Sequence, residues 1–257
     1  MRILIGCTLV AALQGCAAMH GAVDSAKAVL QPHVPGPTPV TPAEAAQLSD
    51  EQLQQRLDLV TARLEDNRTH AALWYYGFLT LNAGGMAVGA TSAAVTNDKN
   101  DQIFDILNAS LGLIGTTYLL AAPLPGRSGD APVRALPAAT HDDRAAQLAE
   151  AERILYAAAG RARQRTGWLL HTGNVVLNAS AASVLLARES YGNAALLFFL
   201  NTAVGEAQIL LTPWEPQTSW EAYRQFVATG GVPVDPPVRW GIGPLPSGQG
   251  LALQATF

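Results

Sequence analysis

Four long, nearly uncharged apolar segments constrain the fold of this chain more than any other feature. They lie at residues 74–95, 103–122, 168–187 and 193–212, and polar turns or prolines separate them. A helix of about 20 apolar residues is long enough to cross a bilayer. The segments must therefore be covered, either by lipid or by one another.

The order of these segments recurs, which predicts an internal duplication. In each half, a charged amphipathic segment leads into an apolar segment, a polar turn, a second apolar segment and a pair of prolines. Alanine-rich helices can resemble one another by chance, but the shared order of elements favours duplication. The matched positions are Gly77 and Gly173, Asn82 and Asn178, and, approximately, Gly115 and Gly205.

These patterns predict a mainly α fold in which duplicated long-helix/short-helix hairpins form a four-helix core. The first helix is expected to begin at Thr41, because Thr41 and Glu44 have capping-box spacing and Pro42 suits the first helical position. Alternating apolar residues near the C-terminus predict a terminal β-hairpin after a short helix. The predicted parts are a signal peptide (1–15), a lipidated proline-rich tether (16–40), helical repeat 1 (41–125), a linker (126–140), helical repeat 2 (141–216), and the C-terminal helix and hairpin (217–257).

Composition argues against several classes of function. Charged residues make up 14% of the chain and the net charge is −4, which provides no basic surface for nucleic acid. The two cysteines, Cys7 and Cys16, both lie near the N-terminus, so the remaining body has no disulfide and no thiolate chemistry. The histidines lack metal-ligand spacing, and no hydrolase or phosphate-binding glycine motif occurs. We therefore expect no enzyme activity, no metal and no cofactor.

The N-terminus has the features of an export and lipidation signal. Arg2 precedes an apolar run at residues 3–13, and Leu13-Gln14-Gly15-Cys16 follows. This segment resembles the lipobox of bacterial lipoproteins, which implies acylation of Cys16, cleavage before it and attachment to membrane lipid. An ordinary secretory signal with an incidental cysteine is the alternative. Because Ala17 rather than aspartate follows the cysteine, the resemblance implies the outer membrane, with the protein facing the periplasm and the inner membrane as the alternative site.

The sequence leaves open whether the apolar segments enter lipid. Each carries polar residues, and one central aspartate costs about 2.5 to 3.5 kcal/mol on insertion scales. An arginine-rich stretch at 124–166 would lie outside with Cys16, against the positive-inside tendency. Small residues such as Gly85 and Gly89 allow close helix packing in either setting. A helical core packed on itself is favoured, and helices buried in lipid or in a partner are the alternative.

The polar residues within the apolar segments are the candidate functional residues. An ionisable group among apolar neighbours is costly unless it has a partner, and functional sites tolerate such costs. The same residues would also serve as interhelical hydrogen bonds that set helix register. We expect Asn178, His171 or a tyrosine hydroxyl to hydrogen-bond Glu206. The candidates are Asp105, His171, Glu206, Asn82 and Asn178.

The sequence therefore predicts a cell-envelope lipoprotein that acts as a helical scaffold or interaction module. Membrane lipid would be bound through acylated Cys16, and the small-residue helix faces would suit an envelope protein partner or self-association. The alternative is a membrane-embedded component that binds or passes an apolar ligand between two helical hairpins, with Asp105 and Glu206 in its path. An enzyme that uses Asp105, His171 and Glu206 is a third interpretation.

Overall fold

A computed structural model describes residues 38–231, 239–244 and 251–256, the last two ranges as backbone only. The predicted signal peptide, Cys16 and most of the tether lie outside the described residues. The described chain is mainly α, as the sequence predicts. Its elements are α1 (Pro42–Ala45), α2 (Asp50–Val95), α3 (Lys99–Ala121), a 3-10 turn (Pro125–Ser128), α4 (Ala131–Arg134), α5 (His141–Arg165), α6 (Trp168–Leu186), α7 (Tyr191–Leu210), α8 (Glu215–Ala228), β1 (Arg239–Pro244) and β2 (Leu251–Thr256). The two strands pair antiparallel.

Capping boxes define the starts of the charged helices. Thr41 accepts a hydrogen bond from the Glu44 amide, and the Glu44 side chain accepts one from the Thr41 amide. A second capping box, formed by Ser49 and Gln52, starts α2, so the helix that begins at Thr41 ends after one turn and a new helix of 46 residues follows. Each box satisfies amides that would otherwise lack partners at a helix start.

The two repeats differ where the charged segment meets the apolar one. In the first repeat, α2 runs without a break from charged to apolar residues. In the second repeat, α5 ends at Arg165, and Gly167 adopts an extended conformation that begins α6 at Trp168. The predicted long helix of the second repeat is therefore two helices, because glycine weakens helix continuation at this point.

The charged segments form a head with its own apolar core. The head consists of α1, the first part of α2 (residues 50–72), residues 124–165 and α8. Leucine and alanine side chains of α2 and α5 pack there against Trp220 and Tyr223 of α8. The buried members are Ala45, Leu53, Leu57, Val60, Leu64, Val133, Ala145, Leu148, Ala151, Ile154, Leu155, Ala159, Trp220 and Tyr223.

The apolar helices, defined as residues 73–95 of α2 together with α3, α6 and α7, are exposed instead. α2 packs along α3, α6 packs along α7, and α3 contacts both helices of the second pair. Only 6% to 17% of the residues in their most apolar windows are buried. All large apolar side chains that are exposed among the described residues lie on these four helices. Such a surface is far more apolar than that of a water-soluble protein.

Candidate functional site

In the first hairpin, the side chain of Asn82 on α2 packs directly against Gly115 on α3. A Cβ atom placed on Gly115 would lie 2.1 Å from Oδ1 of Asn82, so a larger residue at this position would have to displace the Asn82 side chain. Asn82 in turn donates a hydrogen bond of 2.7 Å from Nδ2 to the carbonyl of Phe78. Gly89 and Gly112 lie at similarly close approaches of α2 and α3. Small residues thus let the two backbones touch, which is the packing that membrane helices favour.

The second hairpin repeats this contact with a different asparagine. A Cβ atom on Gly205 would lie 2.1 Å from Oδ1 of Asn174. Gly205 is the glycine that the sequence matched with Gly115, but its asparagine neighbour lies one turn before Asn178. Asn178 is buried and donates from Nδ2 to the carbonyl and to Oδ1 of Asn174, at 2.9 and 2.8 Å. The structure therefore makes Asn174 the counterpart of Asn82 in the hairpin contact.

Glu206 is held by two residues of α6. His171 Nδ1 lies 2.5 Å from Glu206 Oε2, and Asn174 donates from Nδ2 to Oε1 at 2.9 Å. His171 was among the expected partners, and Asn174 was not. The sequence does indicate Asn174 as a further partner, because His171, Asn174 and Asn178 are spaced three and four residues apart and therefore share one face of the helix. The His171 and Glu206 side chains are 36% and 28% exposed, so this pair is not a buried lock.

Asp105 lies apart from that pair. Thr96 donates a hydrogen bond of 3.4 Å to Asp105 Oδ2 near the turn between α2 and α3. Asn201 donates to Asn108 Oδ1 at 3.3 Å, which aligns α7 with α3. From this alignment, Asp105 and Glu206 are separated by about 12 Å along the helix axes. The structure does not bring the three ionisable candidates together, which removes the geometric basis for an enzyme that uses them jointly.

A cleft of about 460 Å³ lies between the two hairpins, and we call it the interhairpin cleft. All four apolar helices contribute to its wall, which is mainly apolar. Amide side chains are distributed over this wall: Asn82, Asn108, Asn174, Asn178, Asn201 and Gln208. Asp105, His171 and Glu206 are not part of the lining. A mostly apolar cavity with a few polar groups is typical of small-molecule sites.

The end of the cleft near the two turns is closed. Arg188 donates to Asn100 Oδ1 at 3.2 Å, and Asn193 donates to Asp101 Oδ1 at 2.8 Å, so the turns of the two hairpins are bonded to each other. Behind these bonds, apolar side chains of α6 and α7 pack against α3. The cleft therefore occupies the half of the apolar helices that lies toward the head.

Arg165 forms the head end of the cleft. Its side chain is only 2% exposed, and its guanidinium lies 4.6 Å from the ring centre of Trp74 and 5.0 Å from that of Tyr118. Nη2 donates to the carbonyl of Ala122 at 2.6 Å. Nε and Nη1 are buried and have no hydrogen-bond partner among the described residues. Burial lowers the pKa of Arg165, but an arginine remains charged in a protein. The cleft thus ends at a desolvated, incompletely bonded cation.

A second buried charge, in the head, is fully bonded. Glu152 accepts hydrogen bonds from Arg56 Nη2 at 2.5 Å, from the Tyr223 hydroxyl and from the Val40 amide at 2.9 Å. The three side chains come from α2, α5 and α8, so the network ties the head together. Sequence reasoning missed it, because the partners are far apart in the chain. Within the described ranges, no group of acidic or histidine side chains is arranged to hold a metal ion.

Of the aromatic residues near the head end of the apolar helices, some are buried and others are exposed. Trp74 and Tyr75 are buried, while Tyr76 and Trp168 are exposed. Tyr191 is exposed at the opposite end, where α7 begins. Exposed aromatic rings at both ends of apolar helices are typical of the two interfaces of a membrane.

No protein-family model matches the chain, and no curated protein or solved structure is detectably similar to it.

Proposed function

We propose that this chain is a membrane-embedded protein that binds an apolar or amphipathic ligand in the interhairpin cleft. The observation that carries the proposal is the inverted distribution of polarity. Most of the exposed large apolar side chains of these helices lie outside the cleft, while amide side chains are concentrated on its mainly apolar wall. In this proposal the two hairpins form one four-helix core in lipid, and β1 and β2 form the terminal β-hairpin that the sequence predicts.

The helix lengths support a position in the bilayer. The 23, 19 and 20 residues of α3, α6 and α7 correspond to lengths of about 34, 28 and 30 Å. The hydrocarbon core of a bilayer is about 30 Å thick. The turns at one end carry Lys99 and Arg188, and the charged head lies at the other end. Each apolar helix is therefore bounded by polar residues at the right spacing.

The placement of the asparagines removes one objection to membrane insertion. Asn82 and Asn174 lie against glycines within their own hairpins, and Asn108, Asn178 and Asn201 line the cleft. A polar side chain costs most where it faces lipid, and less where it faces a protein interior or cavity. These five asparagines are thus compatible with helices in lipid.

The predicted lipid anchor fits the same arrangement as a further part of the proposal. An acyl group on Cys16 would hold the N-terminus at a membrane surface. The chain enters the head at Val40, whose amide bonds to Glu152. The head would then lie on the periplasmic side of an envelope membrane.

Photo-crosslinking in nanodiscs tests the ligand site. A diazirine-labelled phosphatidylcholine should react with cleft residues such as Leu177 and Leu200. Gly173→Leu should abolish this reaction, because Gly173 lines the cleft and has open space beside it. Gly77→Leu is the matched control, since Gly77 also has open space but does not line the cleft. Equal labelling of the two variants and the wild type would contradict the proposal.

A further inference from the structure

We infer that the interhairpin cleft selects an anionic phospholipid, whose phosphate group binds to Arg165 at the head end. This inference rests on the proposed function, because it specifies the ligand of the same cleft. The group that Arg165 would bind is two oxygens of one phosphate, and a membrane lipid would supply that phosphate.

The guanidinium of Arg165 has two donor nitrogens that no protein acceptor satisfies among the described residues. A guanidinium has five N–H donors in a planar fork. In this structure only Nη2 has a protein acceptor, while Nε and Nη1 are buried without one among the described residues. An unpaired buried donor is costly, and a buried cation without an anion is more so. A phosphate that accepted bonds from Nε and Nη1 would satisfy both donors at once.

The surroundings of Arg165 keep it in place without neutralising it. The rings of Trp74 and Tyr118 flank the guanidinium, and Trp74 is itself fixed by a hydrogen bond of 3.0 Å from Nε1 to the carbonyl of Gln208. Cation–π contacts stabilise the charge but do not cancel it. No carboxylate forms an ion pair with Arg165 in the part of the chain that the structure describes. The positive charge of Arg165 therefore has no anionic partner among the described residues.

The position of Arg165 matches the depth of a lipid headgroup. It is the last residue of α5, and the exposed Trp168 begins the apolar helix α6 just after it. This places the guanidinium at the level where lipid phosphates lie and where basic pockets bind anionic headgroups. Leu170, Leu177 and Leu200 line the cleft beyond it. A lipid bound by its phosphate at Arg165 would thus place an acyl chain along these leucines.

A structural role for Arg165 as a cap on α3 predicts different behaviour. The bond from Nη2 to the Ala122 carbonyl closes the end of α3. If capping were the whole role, replacement of Arg165 would change stability without changing which lipid is bound. Headgroup selectivity is therefore the deciding measurement.

The experiment compares diazirine-labelled phosphatidylglycerol and phosphatidylcholine in nanodiscs that contain the full-length protein. Wild type should label its cleft with the anionic lipid about tenfold more than with the zwitterionic one. Arg165→Gln should reduce this ratio to about one while labelling by phosphatidylcholine persists, and Arg165→Lys should retain part of it because only the bidentate fork is lost. Arg153→Gln, about three turns earlier on α5, paired with Glu150 and outside the cleft lining, should keep the wild-type ratio.

Each outcome separates this inference from the proposed function. An unchanged ratio in Arg165→Gln, with cleft labelling intact, would overturn the role of Arg165 and leave the cleft as a neutral lipid site. Failure of both lipids to label the wild-type cleft would overturn the proposed function itself. Competition by millimolar inorganic phosphate would show that the site takes free phosphate, which contradicts a lipid source. Circular dichroism of each variant verifies that the helices are retained.

Discussion

Asn174 lies against Gly205 as Asn82 lies against Gly115, with the same 2.1 Å between the asparagine Oδ1 and the place of a glycine Cβ. Two contacts of this kind, one in each hairpin, show how both hairpins close. The glycines are needed because they leave room for a side-chain amide between the helices. The two amides in turn line the interhairpin cleft.

Replacement of these glycines should destabilise the hairpins. Gly205→Ala and Gly115→Ala should each lower the free energy of unfolding by about 1–3 kcal/mol, the usual cost of overpacking. Gly77→Ala should instead be neutral or stabilising, because a Cβ there meets open space and alanine favours helix by about 1 kcal/mol. Unfolding in mixed micelles measures all three variants. The pairing predicts that Asn174→Ala partly rescues Gly205→Ala, and a purely additive double variant would contradict it.

The bonds to Glu206 predict a graded effect of substitution. Glu206→Gln should change stability little, since an amide still accepts a hydrogen bond from Asn174. Glu206→Leu should cost about 1–3 kcal/mol, because His171 loses its carboxylate partner and Asn174 keeps only the Thr202 carbonyl as an acceptor. Asp105→Leu is the comparison at the far end, where a single 3.4 Å bond is lost and a smaller change is expected. A larger loss of stability in Asp105→Leu than in Glu206→Leu would contradict this prediction.

The buried ion pair in the head should be sensitive to the loss of one partner. Glu152→Ala leaves the largely buried Arg56 without its carboxylate and should cost about 3–5 kcal/mol. Arg56→Met combined with Glu152→Leu should recover part of this loss, because it removes both charges and keeps the volume, although the Tyr223 hydroxyl and the Val40 amide still lose their acceptor. Near-ultraviolet circular dichroism of the head aromatics during denaturation reports the transition. If the double variant is as unstable as Glu152→Ala, the unpaired charge of Arg56 is not the cause of the loss of stability.

The stability of the head should depend on pH through His141, and the direction of this dependence follows from the structure. Its hydrogen bond to Asp50 raises the pKa of His141 above the ordinary value of 6.5, helped by the Ala46 carbonyl and opposed by Arg144. A raised pKa stabilises the folded state fully below pH 6.5, and this contribution is lost as pH rises through the folded-state pKa. His141→Gln should therefore flatten the change in stability between pH 5.5 and 8.5. Denaturation of the wild type and His141→Gln at both pH values measures this change. An equal change in stability in the two proteins would show that His141 is not its source.

The helical content and most segment boundaries could be predicted from local signals. Capping boxes, prolines and the length of the apolar runs act within a few residues, so they are visible in the sequence. The break at Gly167 was missed, because the first repeat runs through the corresponding position as continuous helix. A single glycine is compatible with either outcome until packing decides.

The site was harder to predict because its properties come from distant residues. Arg165 looks like an ordinary charge at the end of an amphipathic helix. Its burial depends on Trp74 and Tyr118, which belong to other helices. The asparagines were correctly seen as unusual in apolar segments, but their direction was not known. Facing inward they line a cavity, whereas facing outward they would oppose membrane insertion.

The most direct test of the account is the environment of the exposed apolar surface. Residues 17–257 contain no cysteine, so a spin label can be attached at one introduced position. Phe199 is 69% exposed on α7, and Arg153 is exposed in the head. In reconstituted protein, a label at Phe199→Cys should collide more with oxygen than with a water-soluble nickel complex, and a label at Arg153→Cys should show the reverse. Greater nickel collision at position 199 would contradict helices in lipid, and protection from both reagents would indicate a protein partner on this surface instead.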